Sequence, residues 1–482
     1  MTAIIAAMSL GCVVLLSCLM VIVGSRSRNP NALSVDSFLL PRGALRSRYI
    51  VSLLLSSSFG VNALLYAAWL GYSVGVWGLV IQLAWALSFL LLSPYSEKLR
   101  STNSLHELLG TRFGRGTTLV ASICTLVGFT YLMGWEFAIG TSSTSSILIL
   151  SGGLGSTATQ GITICLMVAV VAGTLIYTLW GGMRGNAKVD QFLNLIKILG
   201  VLFITILLVA KLSHVNRSQL ISAIFPSFQI MRKDLGLFGL ATNILFNLAW
   251  QFVDNSSWQS VIAGQSSQVD QAQNNLRVSG SVIFLTIGLL GTLFGISLVS
   301  SPNVTPDNIL TQTISLLPQH QTILVVVMIT LIGACMMSLF DVLFISSTFT
   351  LTKDIVLTRN AHRSIQSLTF VRLALLCIAV VATWGIRFLF QVTRINLFDF
   401  VYIVVITQLA LFGPTVIALA TGRSPRVPMW WAIICALVIG FGSAAIGTLL
   451  GKSFLVDGAG MFTLVASAGF AFLNSRSQEI TS

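Results

Sequence analysis

Charge is scarce in this chain. Only 9% of its 482 residues are Asp, Glu, Lys or Arg, against about 25% in a soluble domain, which excludes water as its main solvent. The seven cysteines (Cys12, Cys18, Cys124, Cys165, Cys335, Cys377, Cys435) are scattered through apolar runs with no CxxC spacing, so neither a disulfide framework nor a zinc site is expected. The four histidines (His106, His214, His320, His362) fall in expected loops and form no HExxH pair, which removes the common zinc hydrolase arrangement. No GxxxxGK[ST] phosphate loop occurs, so direct nucleotide-driven pumping has no machinery here. The longest hydrophilic stretch, around Lys211 to Asp234, reads as a loop rather than an attached kinase or ATPase domain.

What remains is hydrophobic: 55% of the residues are apolar, in charge-free runs such as Thr2 to Gly24 that reach the roughly 20 residues a membrane helix needs. Runs of this length without two-residue alternation satisfy their backbone only as helices. The chain is therefore expected to be an all-α polytopic membrane protein. Thirteen helices are expected, near 2–24, 48–72, 76–94, 116–150, 160–180, 187–211, 237–263, 276–300, 322–350, 368–390, 396–422, 428–450 and 458–475. The net charge of +13 follows topology rather than nucleic acid. With the N-terminus outside, the inner loops hold most of the 27 Lys and Arg residues, beginning with Arg26, Arg28, Arg42, Arg46 and Arg48. The expected location is the inner or plasma membrane, with the C-terminus cytoplasmic.

An acid in the hydrocarbon region costs roughly 2.5–3.5 kcal/mol on insertion scales, and five call for a reading: Glu136, Asp190, Asp254, Asp341 and Asp399. Asp399 is expected at an interface. Each of the others has a structural reading, pairing with Lys197, Arg372 or the N–H groups of a broken helix, and a functional one as an ion or solute ligand. In Ser52–Tyr66 (SLLLSSSFGVNALLY) three serines, Gly60 and Asn62 sit at mid-span. There an unwound backbone would offer carbonyls to a cation, although small residues also serve close helix packing.

Several stretches carry a family resemblance. NSLHELLGTRFG (Asn103–Gly114) is similar to a "TLxEFLxxRFG" element, and YTLWGGMRGNAKVDQF (Tyr177–Phe192) retains Tyr177, Thr178, Gly181, Gly182 and Asp190 of the pattern YTxxGGLxAVxxTDxxQ. ACMMSLFDVLFISSTFTLTKDI (Ala334–Ile355) resembles, without gaps, AAxMSTxxSxLxxxSSxxTxDI. Across about residues 35–425 the chain thus resembles the sodium/solute symporter family. The run NLAWQFVDNSSWQSVIAG (Asn247–Gly264) is similar to its urea active transporter branch.

The resemblance implies a leucine-transporter-like inverted repeat of five plus five core helices whose first core helix is broken. Residues 1–24 would be an extra N-terminal helix, 25–47 a basic inner loop, 48–211 the first repeat, 212–236 an outer loop, 237–422 the second repeat, and 423–482 two further helices and a tail. It also implies a sodium site from the carbonyls of Ser56, Phe59 and Cys335 with the Ser338 hydroxyl. Leu339 replaces the second hydroxyl of that site, and Asp341 stands where relatives with a second sodium carry serine. Asp190 would serve a second ion or an inner gate. Asn62, Trp135, Glu136, Asn247, Trp250 and Asp254 would form the solute pocket, with Trp250 as an aromatic lid; packing is the plainer role for Trp250 and Trp258.

The expected function is uptake of a small polar solute coupled to a cation. Sodium is first choice and a proton second, because a desolvated Asp341 also suits a proton. A transporter-like sensor that signals to a separate partner is the alternative from another class. No enzyme activity and no cofactor beyond the coupling ion are expected, and the partners are the solute and the bilayer.

Overall fold

The structure, a computed structural model, describes residues 2–26, 34–151, 155–212, 217–226, 236–265, 269–301, 304–357, 367–393 and 400–476. Asp399, His214 and His362 lie outside the described residues. Among those described, nine helices are long and apolar enough to cross a membrane, or ten with one bent pair, against the thirteen expected. The difference lies in where helices break. Two apolar helices, Phe238–Val253 and Ala459–Asn474, are too short to be counted, and the expected spans 160–180 and 187–211 count once, as one long element bent sharply at Gly182.

Helix α1 (Thr2–Ser25) packs along that long element and against the central span. The bent pair is α2 (Ser47–Ser58) and α3 (Val61–Val74), whose axes meet at 67°. Helical hydrogen bonding ends at Phe59, whose N–H still reaches the Leu55 carbonyl at 2.8 Å. Gly60 is extended at φ −87°, ψ 174°. Ser57 turns its hydroxyl onto the Leu54 carbonyl at 3.0 Å, the local competition by which serine weakens a helix end.

The chain continues through α4 (Trp77–Leu92), the short α5 (Leu105–Phe113) and α6 (Arg115–Leu150). His106, expected in a loop, lies on α5 and is fully buried. Its ring nitrogens meet Asp354 at 2.7 Å and Thr125 at 2.9 Å. Helix α7 (Ser156–Lys211) would be ~84 Å long if straight, far beyond the ~30 Å of a hydrocarbon core. It breaks at Gly182, with φ 55° and ψ −158°. The turn is sharp: Thr178 Oγ donates to Asn186 Oδ1 at 3.1 Å, although eight residues of straight helix would separate them by ~12 Å. A side chain at Gly182 would be strained by this φ and would strike the Phe38 carbonyl.

A second break, which the sequence reading did not expect, falls inside the span 237–263. Helices α8 (Gly236–Val253) and α9 (Asn255–Ile262) are separated by Asp254, at φ −77°, ψ 95°. The start of α2 lies beside the end of α9: Ala44 and Leu45 donate to the Ala263 carbonyl at 3.0 and 2.9 Å, and Gln265 returns a bond to the Leu45 carbonyl at 2.8 Å. The two broken helices therefore run in opposite directions.

Helix α10 (Val269–Ile283) leads to α11 (Gln321–Phe349), which is buried without interruption from Leu331 to Phe349, as a helix that is apolar on all sides must be. Beside it lies α12 (Leu368–Val380), while α13 (Phe400–Leu409) and α15 (Trp430–Leu450) pack on α6, α14 (Phe412–Ala420) packs on α5, and α16 (Ala459–Asn474) packs on α13, α14 and α15. Ser424–Pro425 pairs antiparallel with Ser475–Arg476. The hydrophilic stretch after Lys211 carries an eight-residue helix, Arg217–Ile224.

Glycines let α3 meet the following segment Gly291–Ile296 backbone to backbone. A Cβ at Gly295 would overlap the Ala68 carbonyl, and one at Gly71 the Thr292 carbonyl. Small residues at such crossings are how membrane helices gain close contact. Gly295→Ala is expected to destabilise the protein by about 1–3 kcal/mol, the usual cost of overpacking. A thermal melt unchanged from wild type would show that the crossing can relax.

Candidate functional site

Both helix breaks are held by carboxylates. Glu136, fully buried on α6, reaches across to the start of α3 and accepts from the Val61 N–H and, at 3.1 Å, from the Asn62 N–H. Asp254 caps α9: its oxygens accept from the Ser256 N–H at 3.0 Å and from the Ser256 and Ser257 hydroxyls, both at 2.6 Å. A negative group at a helix start satisfies otherwise unpaired N–H groups and opposes the dipole. The sequence reading had placed both acids in the solute pocket. Neither lines it, and the geometry assigns each to its helix end.

The cavity itself has a volume of about 410 Å³ and lies beside the first break. Four of the expected pocket residues line it: Asn62, Trp135, Asn247 and Trp250. Trp250 stacks at a tilt on Phe246, with centroids 5.1 Å apart, while Asn247 donates to the Ile81 carbonyl at 3.1 Å. The sequence reading missed Tyr66, Gln82, Trp85 and Asn243, which also line the cavity. Tyr66 donates to the Asn243 side chain. Gln82 carried a signal that could have been read, since a lone amide inside an apolar run seldom lacks a purpose. Asp307 and Asp457 stand at the exposed mouth. Trp258, by contrast, is wholly buried in the core.

On the other side of the break three of the four expected ion ligands come together around a residue that was not expected. Lys197, fully buried on the second half of α7, donates from Nζ to the Phe59 carbonyl at 3.2 Å and to the Ser338 hydroxyl at 2.7 Å. Ser338 in turn donates to the Cys335 carbonyl at 3.2 Å. The Phe59 ring sits under the ammonium at 4.9 Å, within cation–π range. The amine thus holds two of the oxygens assigned to sodium. Ser56, the fourth, was expected to contribute its carbonyl; its hydroxyl donates to Asn194 Oδ1 at 3.2 Å, and Leu339 lines the cavity. The signal for Lys197 was its isolation in FLNLIKILGVLF (Phe192–Phe203), a charge with no neighbour of its kind inside a span.

Asp341 does not join this cluster by a hydrogen bond. It accepts from the Tyr177 hydroxyl at 2.9 Å, while its own carbonyl accepts from Asn186 at 2.9 Å. Asp190 is fully buried nearby, and both acids interact electrostatically with Lys197. Arg372, offered above as a partner for an intramembrane acid, donates to the Leu179 carbonyl at 3.0 Å.

No family model matches the chain, and no curated protein matches it by sequence. Solved structures do. A sodium-coupled sialic acid symporter in a substrate-bound, outward-open state is similar over 97% of this chain and 99% of its own, with a TM-score of 0.73 at 14% identity. A nucleobase-cation-symport-1 family transporter with bromovinylhydantoin bound, in a closed conformation, is similar over 93% and 95%, with a TM-score of 0.59 at 13% identity. MhsT in complex with L-phenylalanine is similar over 90% and 99%, with a TM-score of 0.54 at 14% identity. The chain has the leucine-transporter-like, all-helical membrane fold of these structures.

Proposed function

We propose that the chain is a cation-coupled symporter that carries a small polar solute across the inner or plasma membrane by alternating access, as its resemblance to the sodium/solute symporters implies. One observation carries the reading: a single helix break supplies Ser58 and Gly60 to the cavity and the Phe59 carbonyl to the Lys197–Ser338 cluster. Groups that share a few residues of unwound backbone are mechanically linked. Occupancy of one can then alter affinity at the other by a reciprocal free energy. The solved relatives in fold, coupled to sodium or cations by their descriptions, support the same reading. The basic first loop supports a cytoplasmic side that carries residues 25–47 and the C-terminus.

For the coupling ion, sodium is the first reading, on the family resemblance. A proton is the second, and a specific observation favours it: the Lys197 ammonium already occupies two oxygens of the expected sodium site. Reconstitution into proteoliposomes with sodium and proton gradients imposed one at a time tests both. Accumulation of a solute driven by sodium supports the first reading. Accumulation that persists without sodium and collapses with a protonophore supports the second, and failure of either gradient to drive any of a broad solute panel would sink symport.

A further inference from the structure

We infer that the cavity takes an organic cation whose charged nitrogen carries N–H groups, and turns carboxylates away; this rests on the cavity being the solute site. Among the described residues, none that lines it is Lys, Arg or His, and the acids that line it, Asp307 and Asp457, are at its mouth. A broken helix normally offers an anion its free N–H groups and positive dipole end. Here both such ends are filled by the chain itself, the first by Glu136 on the Val61 and Asn62 N–H groups, the second by Asp254. A Cβ at Gly60 would lie only 2.9 and 3.0 Å from the two Glu136 oxygens, so a solute carboxylate brought to this break would meet a carboxylate. Lys197 lies off the cavity lining and its ammonium is committed to Phe59 and Ser338.

The interior points the same way. Gln82, 2% exposed and lining the cavity, has an Oε1 with no hydrogen-bond partner. A buried acceptor without a donor is costly, and a turn of this cavity-lining side chain would bring it to an N–H of the solute. Trp85, three residues along the same helix and so on the same face, leaves its Nε1 unpaired. That indole fits a neutral oxygen on the solute, such as an amide carbonyl. Aromatic faces, among them Trp69, Phe246 and Trp250, attract a cation and repel an anion through the ring quadrupole.

The test is thermal stabilisation of the purified full-length protein at constant ionic strength by L-phenylalaninamide, putrescine, L-phenylalanine, N-acetyl-L-phenylalanine and N-acetyl-L-phenylalaninamide. At least one of the first two, which carry only positive charge, is expected to bind tenfold or more tightly than the two carboxylates and the neutral amide. Gln82→Leu should abolish that stabilisation, and Asp307→Asn, at the exposed mouth, should weaken it several-fold at low salt without changing the unliganded melt. Equal or tighter binding of a carboxylate or the neutral compound, or no binding of either cation, overturns the inference. Uptake is read separately: selective binding without accumulation in vesicles would sink the transport reading alone, and accumulation of a carboxylate solute would sink this inference alone.

Discussion

If the Lys197 ammonium takes the place of sodium, sodium chloride raises the melting temperature of a Lys197→Ala protein relative to potassium chloride at equal ionic strength, whereas the wild-type protein melts alike in both. The variant removes the ammonium that donates to Phe59 and Ser338 and leaves their oxygens, with the Cys335 carbonyl, around a vacated cationic position. In potassium it is destabilised by about 3 kcal/mol or more, since each hydrogen bond from a charged group contributes roughly 1.5–3 kcal/mol. A small cation that enters restores part of this. Sodium at a hundred times its dissociation constant stabilises by ~2.7 kcal/mol. The experiment also separates the two coupling readings: sodium stabilisation of the wild type, absent in Lys197→Ala, would show that lysine helps bind the ion instead of replacing it.

Glu136→Ala is expected to lower stability by about 2–5 kcal/mol and to abolish solute binding. The mutation leaves two N–H groups at the start of α3 without acceptors in a buried setting, at roughly 1–3 kcal/mol each. It also frees the wall of the cavity at Asn62. Glu136→Gln retains one acceptor oxygen and should recover about half of the loss in a thermal melt. An alanine variant that melts and binds as wild type would mean that the break is held by the fold around it and not by this carboxylate.

The membrane class, most helix positions and the break at Ser58–Gly60 were legible because each rests on local chemistry: apolar run length, serine competing for backbone carbonyls, and glycine at a bend. The break at Asp254 was not read from the sequence, because DNSS (Asp254–Ser257) shows its meaning only once the aspartate folds back on Ser256 and Ser257. The separation of the expected spans 160–180 and 187–211 was legible too, and the chain turns between them at Gly182. At the site, the resemblance drew attention to Phe59, Cys335 and Ser338, which do meet, but could not indicate what meets them. The partner of Ser338 stands 141 residues away in the chain, and such a separation carries no local pattern. Glu136 and Asp254 were singled out for being costly, which was sound. Their contacts with the helix ends depend on side-chain direction, which composition does not encode.

The hydrogen bonds that join Ala44 and Leu45 to Ala263, and Gln265 back to Leu45, link the start of α2 to the end of α9 through main-chain atoms alone. This seam depends on no side-chain hydrogen bond, although proline at 44, 45 or 265 would remove one of its donors. A pair stitched at one end can tilt as a single lever but cannot spread at the seam. Any relative movement of α2 and α9 is therefore constrained at this end, while both also pack against α11.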